Sequence, residues 1–148
     1  MKPNYLTILI TTLCIFFNAC HNSNTAPQLQ LADSLIDKRA DSALCILEKL
    51  SIEEISNKSA KAMYALLLTE ALDKNFKSHR NDSLILIAVD YYKDNSNNKL
   101  KTKAYYLGRV YQDNKEYIKA TEAYLTALKT ASPNQAPILQ IYNNLALC

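Results

Sequence analysis

A single glycine, Gly108, serves a chain of 148 residues, and tryptophan is absent altogether. That scarcity excludes several chemistries. Neither GxGxxG nor GxxxxGK[ST] can be written, because each needs at least two glycines for backbone to close on phosphate. The G-x-S-x-G nucleophile elbow fails for the same reason. Tight β-hairpin turns favour glycine at positive φ, and none is available before position 108. Histidine is nearly as rare: His21 and His79 have no cysteine, carboxylate or second histidine at metal-ligand spacing. The four cysteines, Cys14, Cys20, Cys45 and Cys148, form no CxxC pair and no disulfide framework. The net charge of +3 is small. Lys74, Lys77 and Arg80, and Lys99, Lys101 and Lys103, have acidic neighbours and read as solvated helix ends rather than a nucleic-acid surface. The expectation is therefore a non-enzyme with no cofactor, no metal and no nucleic-acid partner in this segment.

What is present begins with a targeting pattern. Lys2 precedes an apolar run from Leu6 to Phe17, and the polar stretch His21 to Thr25 follows Phe17-Asn18-Ala19-Cys20. About 12 residues make roughly 18 Å of helix, short of a ~30 Å hydrocarbon core. The run therefore fits the apolar region of a secretory signal. A small residue before a cysteine at its end resembles a bacterial lipobox. That resemblance implies cleavage after residue 19, acylation of Cys20, a tether over residues 20–26, and attachment to the cell envelope of a Gram-negative bacterium, facing the periplasm. Two or three acyl chains suffice to hold a protein at a bilayer, each buried CH₂ adding ~0.8 kcal/mol.

From residue 27 every clear periodicity is near 3.6, so the fold class is all-α. Thr25-Ala26-Pro27-Gln28 is a capping-box pattern with early proline. It predicts a helix with Leu31, Leu35 and Ala32 on its apolar stripe. A second helix is expected from Asp41 as N-cap, with Leu44, Leu47 and Leu50 inside and Cys45 as a small buried thiol. Ser51 opens another capping-box pattern. The next helix, from Ser59 to Asp73, should bury Ala62, Ala65, Leu66, Thr69 and Leu72, and residues 74–81 read as a polar loop. Asp82 caps a helix burying Leu84, Ile85, Ala88, Tyr91 and Tyr92. A third pair runs from Lys99 to Asp113 and from Glu116 to Thr130, with Asn114 as the left-handed cap. A last helix begins at Ala136.

Gly108 falls inside the Lys99 helix, where glycine costs about 1 kcal/mol relative to alanine. Such a residue normally answers a close approach of two helices. Leu107, Gly108 and Tyr111 on one helix, and Ala120, Tyr124 and Ala127 on the next, form facing stripes. A hairpin of this kind cannot bury its own apolar face, which argues for a stack of similar units.

Those six residues carry a resemblance to the tetratricopeptide repeat family. The best match spans residues 101–134, with Ala104 where the family often has tryptophan and Pro133 one residue late. Residues 59–94 and 27–50 resemble degenerate copies, and Tyr142 to Ala146 resembles the opening of a further one. The resemblance implies antiparallel helix pairs stacked as an α-solenoid over residues 27–148. Because the last helix lacks a partner helix by Cys148, the chain is expected to be either a fragment or a truncated gene product.

In that family the first helix of each repeat lines a concave groove that takes partner peptides. On this chain the corresponding positions are Thr102, Tyr105, Arg109 and Gln112, continued by Tyr64 and Leu68. An aromatic ring beside a guanidinium is a combination enriched at binding hot spots. The expected function is a lipid-anchored scaffold binding a protein or peptide. Two alternatives are the extracytoplasmic sensory part of a larger membrane-spanning regulator, and a nutrient-binding lipoprotein.

Overall fold

The computed structural model describes residues 25–79, 82–92, 99–130 and 137–148. Cys20 and the rest of the signal pattern lie outside the described residues, as does Pro133. Seven α-helices make up the described chain: α1 (Ala26–Leu35), α2 (Ala40–Leu47), α3 (Lys58–Lys74), α4 (Ser83–Tyr92), α5 (Lys99–Asp113), α6 (Tyr117–Thr130) and α7 (Pro137–Leu145). A 3₁₀ turn, Ile52–Glu54, precedes α3, and no strand occurs among the described residues. The fold is all-helical.

Each helix packs on the next, and the odd-numbered helices also touch in succession: α1 on α3, α3 on α5, α5 on α7. Helix α3 sits between two apolar clusters. Its Tyr64, Leu67 and Ala71 join Leu29, Ala32, Leu44 and Leu47 of α1 and α2. Its Ala62, Ala65 and Leu66 join Ile85, Tyr106, Val110, Tyr124 and Ile141 of α4 to α7. A 3.6 period can supply both faces because α3 is apolar around most of its circumference through Ala62 to Ala71. Burying each large aliphatic side chain contributes about 1.5–3 kcal/mol.

The odd helices share a packing rhythm. Leu29 and Ala32, Leu66 and Thr69, and Tyr105 and Gly108 are all buried, a bulky residue followed three positions later by a smaller one. Three residues apart places both on one helix face.

Helices α3 and α5 also end alike. In α3, Phe76 N–H donates to the Asp73 carbonyl at 3.0 Å and Lys77 N–H to the Leu72 carbonyl at 2.9 Å. In α5, Lys115 N–H donates to Gln112 at 2.9 Å and Glu116 N–H to Tyr111 at 2.8 Å. Both are Schellman closures, which satisfy the last carbonyls by turning one residue left-handed. Glycine is the usual residue there. This glycine-poor chain uses Phe76 at φ 55° and Lys115 at φ 62°.

Several local expectations are corrected. Leu31 is 52% exposed, because α1 turns Leu29, Ala32 and Ile36 inward. Leu35, on the same predicted stripe, is half-buried. Cys45 is exposed, since the register burying Ala43, Leu44 and Leu47 points it outward. Thr25 makes no side-chain cap bond. Arg39, not Asp41, is the N-cap of α2. Asn57 caps α3 by accepting from Ala60 N–H at 3.1 Å, a cap outside the Ser51 pattern. The left-handed residue after α5 is Lys115, not Asn114.

Candidate functional site

The groove positions proposed from sequence fall on α3 and α5, neighbours in the odd-helix row. A seam of polar ties crosses that row. On the α1 side, Lys74 Nζ meets Asp37 Oδ1 at 2.6 Å and Glu70 Oε1 at 2.9 Å, and donates to the Ile36 carbonyl at 3.4 Å. Burial would lower the Lys74 pKa, but its bonds to Asp37 and Glu70 hold it above its ordinary value. Burial, reinforced by the Glu70 and Asp73 charges, pushes the Tyr106 phenol far up, so its neutral form is strongly favoured.

Further along, Arg109 Nε donates to Asp73 Oδ1 at 2.7 Å. Its Nη1 donates to Gln112 Oε1 at 3.0 Å, and the Tyr124 hydroxyl donates to the same oxygen at 2.8 Å. Burial opposes the Arg109 charge, yet Asp73 more than compensates and keeps the pKa raised. The guanidinium is thus held in one orientation on a half-buried part of the row.

Tyr105 is placed differently from the sequence expectation. It is only 8% exposed, packed edge-on to Tyr106 at 5.0 Å and tilted against Tyr124 at 6.0 Å. Its hydroxyl accepts from Asn144 Nδ2 of α7 at 3.4 Å. Tyr64 is likewise buried, its hydroxyl donating to the Leu50 carbonyl at 3.3 Å. Burial raises the pKa of both phenols. Neither ring is an open recognition surface; both fill space between neighbouring helices. Leu68, Arg109 and Gln112 remain half-buried. The side chain of Thr102 lies outside the described residues.

The positions assigned to repeat packing come together. Ala120, Tyr124 and Ala127 are buried, and Leu107 and Tyr111 pack against the same cluster. A methyl group built on Gly108 would stand 2.5 Å from Tyr124 Cδ1 and 2.9 Å from Cζ, closer still to Cε1. Lys119 Nζ lies 5.3 Å over the Tyr111 ring, a cation–π contact.

His79 is the residue that sequence reasoning missed. Read as part of a polar loop, it is 4% exposed and bridges two hairpins. Its Nδ1 is 2.7 Å from Asp113 Oδ2, its Nε2 is 3.2 Å from the Thr69 carbonyl, and its backbone N–H donates to the same carboxylate at 3.2 Å. Both ring nitrogens face acceptors, so both hydrogen bonds form together when the His79–Asp113 pair holds two protons. His79 and Asp113 lie 34 positions apart in the chain, so no local spacing signals the pair. With Leu68, Leu72, Leu84 and Val110, His79 lines a cavity of about 610 Å³, beside the Lys77–Glu48 ion pair of 3.0 Å.

Among the described residues, no group of three or more histidine, cysteine or acidic side chains is arranged to hold a metal ion. No described helix is long and apolar enough to cross a membrane. No family model, curated protein or solved structure matches the chain.

Proposed function

We propose that this protein is a lipid-anchored, tetratricopeptide-like scaffold that binds a protein or peptide along its row of odd-numbered helices and performs no catalysis. The observation that carries this reading is the packing of α1 on α3, α3 on α5 and α5 on α7. A continuous row of like-placed helices is how solenoid repeats build an extended binding surface. Arg109, oriented by Asp73 and Gln112, supplies a pre-positioned donor fork for a partner carboxylate. Leu68 adds half-buried apolar surface on α3. The Leu6–Cys20 pattern supports an envelope location through acylation of Cys20.

The burial of Tyr64 and Tyr105 moves the recognition surface away from those rings and toward Arg109, Gln112 and Leu68. The test is photo-crosslinking in intact cells, with a photoreactive residue at Leu68 or Gln112 and a control at Ile118, exposed on α6. One polypeptide crosslinked from both row positions and not from Ile118 is expected. Crosslinking to that polypeptide from Ile118 alone overturns the surface assignment.

A further inference from the structure

Tyr124 is fully buried on α6, yet its hydroxyl donates to the side chain of half-buried Gln112 on α5. The acceptor, Gln112 Oε1, takes two donors at once: the phenol at 2.8 Å and Arg109 Nη1 at 3.0 Å. A guanidinium has donors only. The amide oxygen must therefore face Arg109, and the phenol can meet that oxygen only by donating. Burial pushes the Tyr124 phenol far up, against the opposing Arg109 charge, and so preserves the proton that this bond needs. On the other side, Asp73 Oδ1 of α3 accepts from Nε of the same guanidinium at 2.7 Å. Arg109 is thus fixed at two nitrogens by groups from α3, α5 and α6.

Without the phenol, Gln112 would be a long side chain three positions from Arg109, with its rotamers free to exchange. The phenol in turn has one place to sit, because its ring fills the space that a Cβ at position 108 would need. A line of contacts therefore runs from Gly108 through Tyr124 and Gln112 to the guanidinium. A side chain ordered before binding loses less freedom on binding, which strengthens the contact it makes. We propose that Tyr124 is a positioning residue: through Gln112 it pre-orients Arg109 for a partner carboxylate that Tyr124 itself never touches. The carboxylate in this inference rests on the scaffold reading; the orientation of Arg109 does not.

The test reads Arg109 by nitrogen-15 NMR in the full chain in detergent micelles. Rotation about its Nε–Cζ bond is measured first without ligand, and then acetate and acetamide are titrated. Tyr124→Phe removes the hydroxyl and keeps the ring. It should speed the rotation about fivefold, as expected for loss of one hydrogen bond. It should also weaken acetate about two- to tenfold, the effect of freeing one long side chain, with acetamide leaving Arg109 unshifted throughout. In a Gln112→Ala background, Tyr124→Phe should change nothing further. Thr69→Val deletes a buried hydroxyl bond on α3 and should lower the melting temperature while leaving Arg109 as it was. Unchanged rotation in Tyr124→Phe overturns the proposal. So does an equal change from Thr69→Val, or an undiminished effect of Tyr124→Phe in the Gln112→Ala background. Acetate that shifts no Arg109 signal in the wild type, with rotation still faster in Tyr124→Phe, overturns the carboxylate reading and not the positioning.

Discussion

Tyr124 is fully buried because Gly108 has no side chain: the ring occupies the space a Cβ at position 108 would need. Gly108→Ala gains about 1 kcal/mol of helix propensity but forces the Tyr124 ring and its bond to Gln112 to shift. Overpacking of this kind typically costs about 1–3 kcal/mol. A net loss of thermal stability is expected by circular dichroism. In a Tyr124→Leu background the same substitution should be much less harmful, because the ring that opposes the methyl is gone.

The His79–Asp113 pair ties the α3–α4 loop to the C-terminal end of α5. His79→Leu removes both ring bonds and leaves the Thr69 carbonyl and the Asp113 carboxylate short of a donor. A loss of about 1–3 kcal/mol is expected in urea unfolding. A double-mutant cycle with Asp113→Asn should show coupling above about 0.5 kcal/mol. Additive losses would mean that the two side chains act independently.

Phe76 is 98% exposed at φ 55°. Its side chain gives the folded state little packing, while its left-handed backbone costs about 1–2 kcal/mol. Phe76→Gly relieves that cost, partly offset by the entropy glycine adds to the unfolded chain. A net stabilisation of about 0.5–1 kcal/mol is expected, measured by thermal melting.

Burial raises the folded-state pKa of Tyr105, Tyr106 and Tyr124 above the phenol value of 10.0. The sign follows from linkage. Below pH 10 the phenols are neutral in folded and unfolded chains alike, and the stability they favour is fully present. Above pH 10 the unfolded chain releases these protons more readily, so stability falls as pH rises. Urea midpoints should therefore decline above about pH 10. Tyr106→Phe should flatten that decline.

Much of the helical layout is legible in the sequence because it depends on local periodicity. The α5 bounds, Lys99–Asp113, follow from apolar spacing and the polar turn at Asn114-Lys115, and the need for a small residue at Gly108 follows from its cost inside a helix. Misreadings arise where a choice is made by distant neighbours. Leu29 and Leu31 are equally apolar, and only the contact of α1 with α2 and α3 selects Leu29 for burial. Tyr105 resembles a groove residue by position, yet α7 brings Asn144 to its hydroxyl from 39 positions downstream. His79 is ordinary loop sequence until α5 delivers Asp113.

The most direct measurement concerns the polypeptide captured by crosslinking from Leu68 and Gln112. Its affinity should be compared between the wild type, Arg109→Lys and Lys119→Gln, with helicity checked for each. Arg109→Lys keeps a positive charge for Asp73 but removes the planar donor fork, whereas Lys119 lies exposed on α6. Arg109→Lys is expected to weaken binding by about tenfold or more, in the range of an interface hot spot, with Lys119→Gln within about twofold of the wild type. Wild-type affinity in Arg109→Lys, or a larger loss in Lys119→Gln, would contradict recognition along the odd-helix row.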